Sequence, residues 1–177
     1  MAKYMAFLRG INVGGHKIIK MKDLSNAFAS LGFKNVKTFI QSGNVIFEDD
    51  KNANDSTKKI ESKLLKLAGY EVAVFLRTIS DIEDMVRHNP FKETKFNDAK
   101  KYVTFLYDKP KSKPKLPLMS SKKDVEVIGI SNRELFCLAF QKNGRFGFPN
   151  AFVEKEFGMK ATTRNWNTVS KILKIAD

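Results

Sequence analysis

The first half of the chain alternates short apolar runs with helical stripes, in an order that few folds accommodate. The runs at 4–8, 36–41, 45–48 and 72–76 are rich in β-branched and aromatic residues, which predicts four strands. Two stretches with apolar residues at helical spacing predict helices that end at Gly32 and Gly69. The resulting order is β-α-β-β-α-β, the split-βαβ pattern of a ferredoxin-like sandwich.

The second half repeats this order in a weaker form. It predicts a helix after Ser80, a strand at 101–107, a helical turn at 116–121, a hairpin at 125–140, and two final helices, the last capped by Thr162 or Thr163. We therefore predict an α+β fold with two ferredoxin-like subdomains, residues 1–90 and 91–177. The second is degenerate, and each antiparallel sheet carries helices on one face.

The composition predicts a folded protein with an affinity for anions. Hydrophobic residues make up 42% of the 177 residues, including 15 Phe, while the net charge is +13. Residues 95–123 hold nine Lys and only two Asp. Such a charge attracts nucleic acid or phosphorylated metabolites, although it also serves solubility alone.

Other classes of site and location find little support in the sequence. The single Cys137 lies in an apolar run, which favours a buried, inert thiol. The two histidines lack partners at metal-ligand spacing, so we expect no metal and no cofactor. No apolar run approaches 18 residues and no signal-peptide core is present. We expect a cytoplasmic protein without a membrane partner.

The glycine-rich loop Arg9–Lys17 is the strongest candidate site. Three glycines within six residues let backbone N–H groups turn toward one point. The spacing of Gly10 and Gly15 matches a P-loop, but His16 stands where the P-loop lysine belongs, and Lys17 where it needs Ser or Thr. An anion-binding loop and a long connection with glycines for tight packing both remain open.

The predicted topology places a second polar segment beside this loop. The first two strands run in the same direction, so the loop after the first and the hairpin tip after the second emerge at the same end of the sheet. The two segments either form a ligand site or a polar network that anchors the loop. The predicted ligand-binding residues are Arg9, Gly10, Asn12, Gly14, Gly15, His16, Lys17, Gln41, Ser42 and Asn44.

Four phrases give the chain a family resemblance: FLRGINVGGHK at 7–17, FIQSGNVIF at 39–47, HNPF at 88–91 and ATTRNWNTV at 161–169. Together they resemble the bacterial family called domain of unknown function 1697, over essentially the whole chain. The resemblance implies no established activity. Its hallmark residues are Arg9, Gly10, Asn12, Gly14, Gly15, Gln41, Ser42, Gly43, Asn44, Asn89, Pro90, Arg164, Asn165 and Trp166.

Three functions compete on these features. The first is binding of a nucleotide-like metabolite or RNA at the loop and hairpin tip, with the basic residues Lys111, Lys113 and Lys115 as a nucleic-acid patch. Aromatic residues Phe91, Phe96, Tyr102 and Tyr107 interleave with lysines, which suits base stacking. Arg164, Asn165 and Trp166 form a possible second ligand patch. The others are an enzyme, with catalytic residues unassigned, and a protein-interaction module.

Overall fold

The computed structural model describes residues 1–12, 15, 17–39 and 43–177. The chain divides into two compact units, residues 1–83 with 176–177, and residues 84–175. The predicted subdomain boundary at residue 90 stays a prediction. Across the described ranges, no helix combines the length and the apolar character needed to cross a lipid bilayer.

The first unit contains four strands in one antiparallel sheet and two helices, in the predicted order. The sheet order is β2-β3-β1-β4, so β1 lies between β3 and β4. The elements are β1 (Ala2–Leu8), α1 (Met21–Ser30), β2 (Lys34–Phe39), β3 (Asn44–Asp49), α2 (Ala53–Ala68) and β4 (Val74–Thr78).

Both faces of the central strand β1 are buried. Tyr4, Ala6 and Leu8 belong to a core cluster that includes residues of α1 and α2. Met5 and Phe7 alternate with them and are also fully buried. This alternation without polar interruption explains why the run reads as a buried strand.

A cluster of three phenylalanine rings packs helix α1 on the first sheet. Phe33 stacks on Phe47 with ring centroids 4.4 Å apart, and Phe28 meets Phe47 edge-on at 5.4 Å. Burying one such side chain contributes about 1.5–3 kcal/mol. The stripe predicted for α1 thus packs where its spacing indicated.

The second unit contains a five-stranded antiparallel sheet ordered β11-β5-β8-β7-β6 and a separate two-stranded hairpin. Helix α3 (Ile79–His88) begins before the boundary between the units. The elements that follow are β5 (Lys100–Leu106), β6 (Leu118–Met119), β7 (Val125–Ser131), β8 (Glu134–Ala139), β9 (Gln141–Lys142), β10 (Arg145–Phe146), α4 (Pro149–Phe157), β11 (Ala161–Asn165) and α5 (Trp166–Ala176).

Two sequence predictions in this unit are wrong. The segment 116–121 holds the short strand β6 in place of a helical turn. Thr162 and Thr163 do not cap the last helix, because they lie in β11. Asn165, the residue immediately before α5, caps the helix instead. Its Oδ1 accepts a hydrogen bond at 2.9 Å from the backbone N–H of Asn167, in the first turn.

The mixed α and β architecture with antiparallel sheets confirms the coarse fold prediction.

A short series of polar side-chain contacts links the second sheet to helix α4. The Thr104 and Thr163 hydroxyls lie 2.9 Å apart, and Thr163 donates to Asn150 Oδ1 at 2.9 Å. Helix α4 begins at Pro149, so Asn150 lies in its first turn while its side chain accepts the bond from Thr163.

Candidate functional site

The last residues of β1 and the first residues of β3 lie side by side at the same end of the first sheet. Phe7 pairs with Asn44 in the ladder, and the N–H of Leu8 donates to the carbonyl of Gly43 at 2.8 Å. The N–H of Arg9 donates to the carbonyl of Ala73, just before β4, at 3.0 Å. The described parts of the glycine-rich loop and of the hairpin are therefore neighbours.

Gly43 allows the loop to pack directly on the hairpin. Its backbone is left-handed, with φ +79°. A Cβ at this position would lie 2.8 Å from Ile11 Cδ1 and 3.0 Å from Leu8 Cβ. Both the conformation and the close approach require glycine. The absence of a side chain at Gly43 leaves room for the buried Ile11 side chain, which packs the start of the loop against the hairpin.

Asn12 closes the loop with its side-chain amide. Its Nδ2 donates to the carbonyl of Ile19 at 3.2 Å, and its Oδ1 accepts from the Ile19 N–H at 2.8 Å. Its own N–H donates to the carbonyl of Lys17 at 3.1 Å. Asn12 adopts φ +55°, a region that asparagine tolerates better than most residues. The side chain therefore frames the loop, and its amide is used in that role.

Lys17 is held in an uncommon conformation at the far side of the loop. Its φ is +53°, a conformation that costs a non-glycine residue about 1–3 kcal/mol and persists only where the surrounding structure imposes it. The carbonyl of Lys17 accepts from the Tyr70 hydroxyl at 3.0 Å, and its Nζ lies 5.0 Å from the Tyr70 ring centroid. Burial raises the pKa of Tyr70, which keeps the hydroxyl protonated as a donor. Tyr70 belongs to no sequence motif, and only the fold brings it to Lys17.

The outward part of the loop combines open backbone with positive charge. Gly10 and Gly15 are exposed, have φ of +71° and +75°, and have no atom within 4 Å of an added Cβ. Arg9 is half-buried beside them in sequence, and Lys17 is exposed. We call Arg9, Gly10, Gly15, Lys17 and Tyr70 the loop mouth.

The hairpin contributes support to this region. Asn44 has 0% exposure, and its Nδ2 donates to the carbonyl of Phe39 at 3.1 Å. The fully buried amide thus supports the hairpin, and direct ligand contact by Asn44 stays a prediction. Other predicted site and hallmark residues lie outside the described residues: Gly14, His16, Gln41 and Ser42.

Two residues of the possible second ligand patch make contacts within the second unit. Arg164 lies in β11 with 8% exposure, and its Nη1 donates to Thr162 Oγ1 at 2.7 Å and to the Thr163 carbonyl at 3.0 Å. Burial lowers the pKa of its guanidinium to about 10. Trp166 packs edge-on against the buried Phe91 at 5.1 Å. Arg164 and Phe91 thus have structural contacts, and the second ligand patch stays a prediction.

The lysine-rich connection before β6 is exposed as its sequence suggests. Lys111, Lys113 and Lys115 all present their side chains to solvent. A separate open cavity of about 600 Å³ lies at the start of α2 and combines three lysines with two aspartates, Asp50 and Asp55. The two carboxylates offset most of the positive charge of the three lysines in this cavity.

The cysteine and the described histidine are placed where neither has a catalytic partner within the described ranges. Burial raises the pKa of the Cys137 thiol to about 12, so it is protonated and unreactive at neutral pH. His88 is exposed, and its Nδ1 lies 2.7 Å from the carbonyl of Asp84. Among the residues that the structure describes, no cluster of His, Cys, Asp or Glu could hold a metal ion.

Comparison with known proteins places these features in a family. A family model described as "Protein of unknown function (DUF1697)" matches residues 1–136. The chain belongs to the DUF1697 family. The match takes in the glycine-rich loop, the hairpin and the HNPF phrase, while the ATTRNWNTV phrase at 161–169 lies beyond it.

One solved structure resembles this DUF1697 protein over nearly its whole length. It is a conserved bacterial protein from Streptococcus pneumoniae, with a TM-score of 0.74, 19% identity, and 99% of each chain covered. At this identity the likeness shows a shared fold alone. The comparison with curated proteins gave no significant match.

Proposed function

We propose that this DUF1697 protein binds a phosphate-bearing ligand, a nucleotide-like metabolite or RNA, at the loop mouth. One observation carries the proposal: Lys17 is fixed in a left-handed conformation, with its ammonium group over Tyr70. Backbone strain that a structure imposes on a polar residue is concentrated at functional positions. Exposed Lys123 shares this backbone conformation in the turn before β7, so the feature that sets Lys17 apart is its contact with the Tyr70 ring and hydroxyl.

The frame around the mouth supports preorganised binding. Asn12 ties the loop to Ile19, and Gly43 seats Ile11 against the hairpin. A loop already held in shape loses little conformational entropy when a ligand arrives. Exposed Gly10 and Gly15 let a phosphate approach the backbone without steric interference from side chains.

Arg9 and Lys17 supply complementary kinds of charge. The Arg9 guanidinium can donate two parallel hydrogen bonds to one phosphate, while the Lys17 ammonium is a compact point charge. Charge-assisted bonds of this kind are roughly twice as strong as neutral ones. We therefore expect selectivity for doubly charged phosphate groups over monovalent anions such as acetate.

Thermal unfolding in inorganic pyrophosphate tests the proposal. At a concentration tenfold above Kd, a ligand that binds only the folded chain adds about 1.4 kcal/mol. For a chain of this length, that raises the melting temperature by roughly 3–6 °C. Lys17→Gln should abolish most of the shift.

The control is Lys22→Gln, which removes one exposed positive charge from α1 and leaves the loop unchanged. It should keep the full pyrophosphate shift. Equal loss in the two variants would mean that net charge, and not the loop mouth, attracts the ligand. Equal shifts in acetate and pyrophosphate at matched ionic strength would also contradict the site.

An enzyme built on the same loop has less support. Asn12 and Asn44 are among the predicted ligand-binding residues, but both side chains make hydrogen bonds within the protein. His16, the histidine of the loop, lies outside the described residues. The function proposed for the loop mouth is therefore binding, in the cytoplasm.

The strand orders support a finer description of the fold. The four longer strands of the second sheet are, in chain order, β5, β7, β8 and β11. They lie in the sheet in the order fourth, first, third, second, and the four strands of the first sheet, β4-β1-β3-β2, lie in the same order. We propose on this basis that residues 1–90 and 91–177 are two ferredoxin-like subdomains. The second has the lysine-rich connection and β6 where the first has α1.

A further inference from the structure

The second unit displays aromatic rings on a surface next to the β9–β10 hairpin. Phe148 is 56% exposed. Its ring meets Tyr102 edge-on at 5.4 Å. We define the Phe146 surface as Lys100, Tyr102, Phe146 and Phe148.

Side-chain contacts and backbone pairing make this surface continuous. Lys100 and Tyr102 lie two residues apart in β5, so their side chains share a face of the sheet, and they meet Phe146 and Phe148 respectively. The N–H of Gly147 donates to the carbonyl of Phe140 at 3.2 Å, which sets the segment 146–148 beside the end of β8. Gly147 also lies so close to Asp124 that an added Cβ would fall 2.5 Å from the Asp124 carbonyl oxygen. The rings are therefore held on a fixed backbone.

Positive charges lie among and beside these rings. Lys100 Nζ is 4.3 Å from the Phe146 ring centroid, and Lys142 faces Arg145 across the hairpin. Segments 95–101 and 140–148 together hold five basic residues and one acidic residue, Asp98. The nearby Asp124 carboxylate accepts a hydrogen bond from Ser120 at 2.8 Å. The surface thus combines an excess of positive charge with exposed aromatic rings.

We infer that the Phe146 surface binds single-stranded nucleic acid. Unpaired bases present flat π faces that stack on aromatic side chains, and the phosphates between them pair with lysine and arginine. A duplex hides its base faces and can use only the charges. This surface is separate from the loop mouth and goes beyond the function proposed for it.

Two other occupants fit the surface less well. A membrane needs a broad apolar face, whereas here Lys100 lies over the Phe146 ring and Lys142 and Arg145 lie in the adjoining hairpin. An acidic peptide would use the lysines and Arg145 but has no π face for Phe148. Charge complementarity together with stacking favours the nucleic acid.

Fluorescence anisotropy of the full chain with a labelled oligouridylate of about twelve nucleotides tests the stacking. Phe146→Leu and Phe148→Leu keep the apolar volume but remove the π face. Each should weaken binding by roughly five- to 150-fold, the range measured for stacking one base. Phe146→Tyr and Phe148→Tyr should bind within about threefold of the natural chain, with melting temperatures recorded for all four variants.

The salt dependence tests the charges. Each phosphate neutralised on a single strand contributes about −0.7 to the slope of log K against log salt. Changing Lys100, Lys142 and Arg145 to Gln should flatten the slope by roughly two units. A matched control changes three exposed lysines of the first unit to Gln, and its slope should stay within about half a unit. These control positions are Lys22, Lys34 and Lys66.

Four results would overturn the inference. The first is leucine variants that fold and bind as the natural chain does. The second is an abasic strand of equal length that binds as tightly as oligouridylate, and the third is a duplex that binds more tightly. The fourth is an equal change of slope in the control triple variant. If the leucine variants instead weaken binding to anionic vesicles or to polyglutamate and leave oligouridylate binding unchanged, that result assigns the surface to a membrane or to an acidic peptide.

Discussion

Gly43→Ala tests whether the hairpin and the glycine-rich loop form one packed unit. The substitution adds a methyl group at φ +79°, where a non-glycine residue costs about 1–2 kcal/mol. The methyl would also meet Ile11 Cδ1 at 2.8 Å, and overpacking of this kind costs about 1–3 kcal/mol. Lower entropy of the unfolded chain offsets about 0.4–1 kcal/mol. We expect a net loss of about 2–4 kcal/mol.

A matched glycine separates strain from crowding. Gly32 has φ +87°, but an added Cβ there meets no atom within 4 Å. Gly32→Ala should therefore cost only the conformational part, about 0.5–1.5 kcal/mol. Urea unfolding with a constant m-value gives both free energies.

A double variant identifies the crowded partner. Ile11→Val removes Cδ1, the atom nearest to the added methyl group. In the background of Gly43→Ala, we expect Ile11→Val to recover at least about 0.5 kcal/mol relative to additivity. A Gly43→Ala cost equal to that of Gly32→Ala, with no coupling to Ile11, would refute the packing of the loop on the hairpin.

Three further predictions follow from other contacts. Asn12→Ala removes both bonds to Ile19 and should lower the free energy of unfolding by about 2–3 kcal/mol, while Asn12→Asp, which keeps the acceptor, should cost less in the same urea assay. Arg164→Ala should cost about 1–3 kcal/mol through loss of its buried bonds, and an unchanged melting temperature would contradict this. Cys137 should resist iodoacetamide at pH 8 until the chain unfolds. Because its pKa is raised above 9.0 in the folded state, stability should fall as the pH rises through about 9, and Cys137→Ala should reduce that fall.

The periodic elements of the first unit were predictable because burial repeats along them. In β1, every residue from Tyr4 to Leu8 is buried, so the run is apolar without interruption. Helix α1 shows its stripe because Leu24 and Phe28 pack on the sheet. Such patterns depend on the neighbouring layer and are visible in sequence.

Strand β11 was missed because its residues are polar. Thr162, Thr163 and Arg164 look like a helix start, yet they are buried in the sheet with their polar atoms bonded. Their partners, such as Thr104, lie far away along the chain. Patterns of hydrophobicity cannot show that a polar run is satisfied by distant partners.

The adjacency of the glycine-rich loop and the hairpin was predictable, but the side-chain contacts around them were not. Antiparallel pairing of β1 with β3 brings the loop to the hairpin, as the element order indicated. The sequence could not show that Asn12 and Asn44 make internal bonds, or that Tyr70 meets Lys17. Each of these depends on side-chain directions set by the tertiary fold.

Amide chemical shifts of the full-length protein, titrated with inorganic pyrophosphate, test the central claim most directly. We expect saturable shifts at Gly10, Gly15 and Lys17, with a common Kd, and loss of these shifts in Lys17→Gln. Shifts confined to the exposed lysines at 109–115, or linear shifts without saturation, would contradict anion binding at the loop mouth.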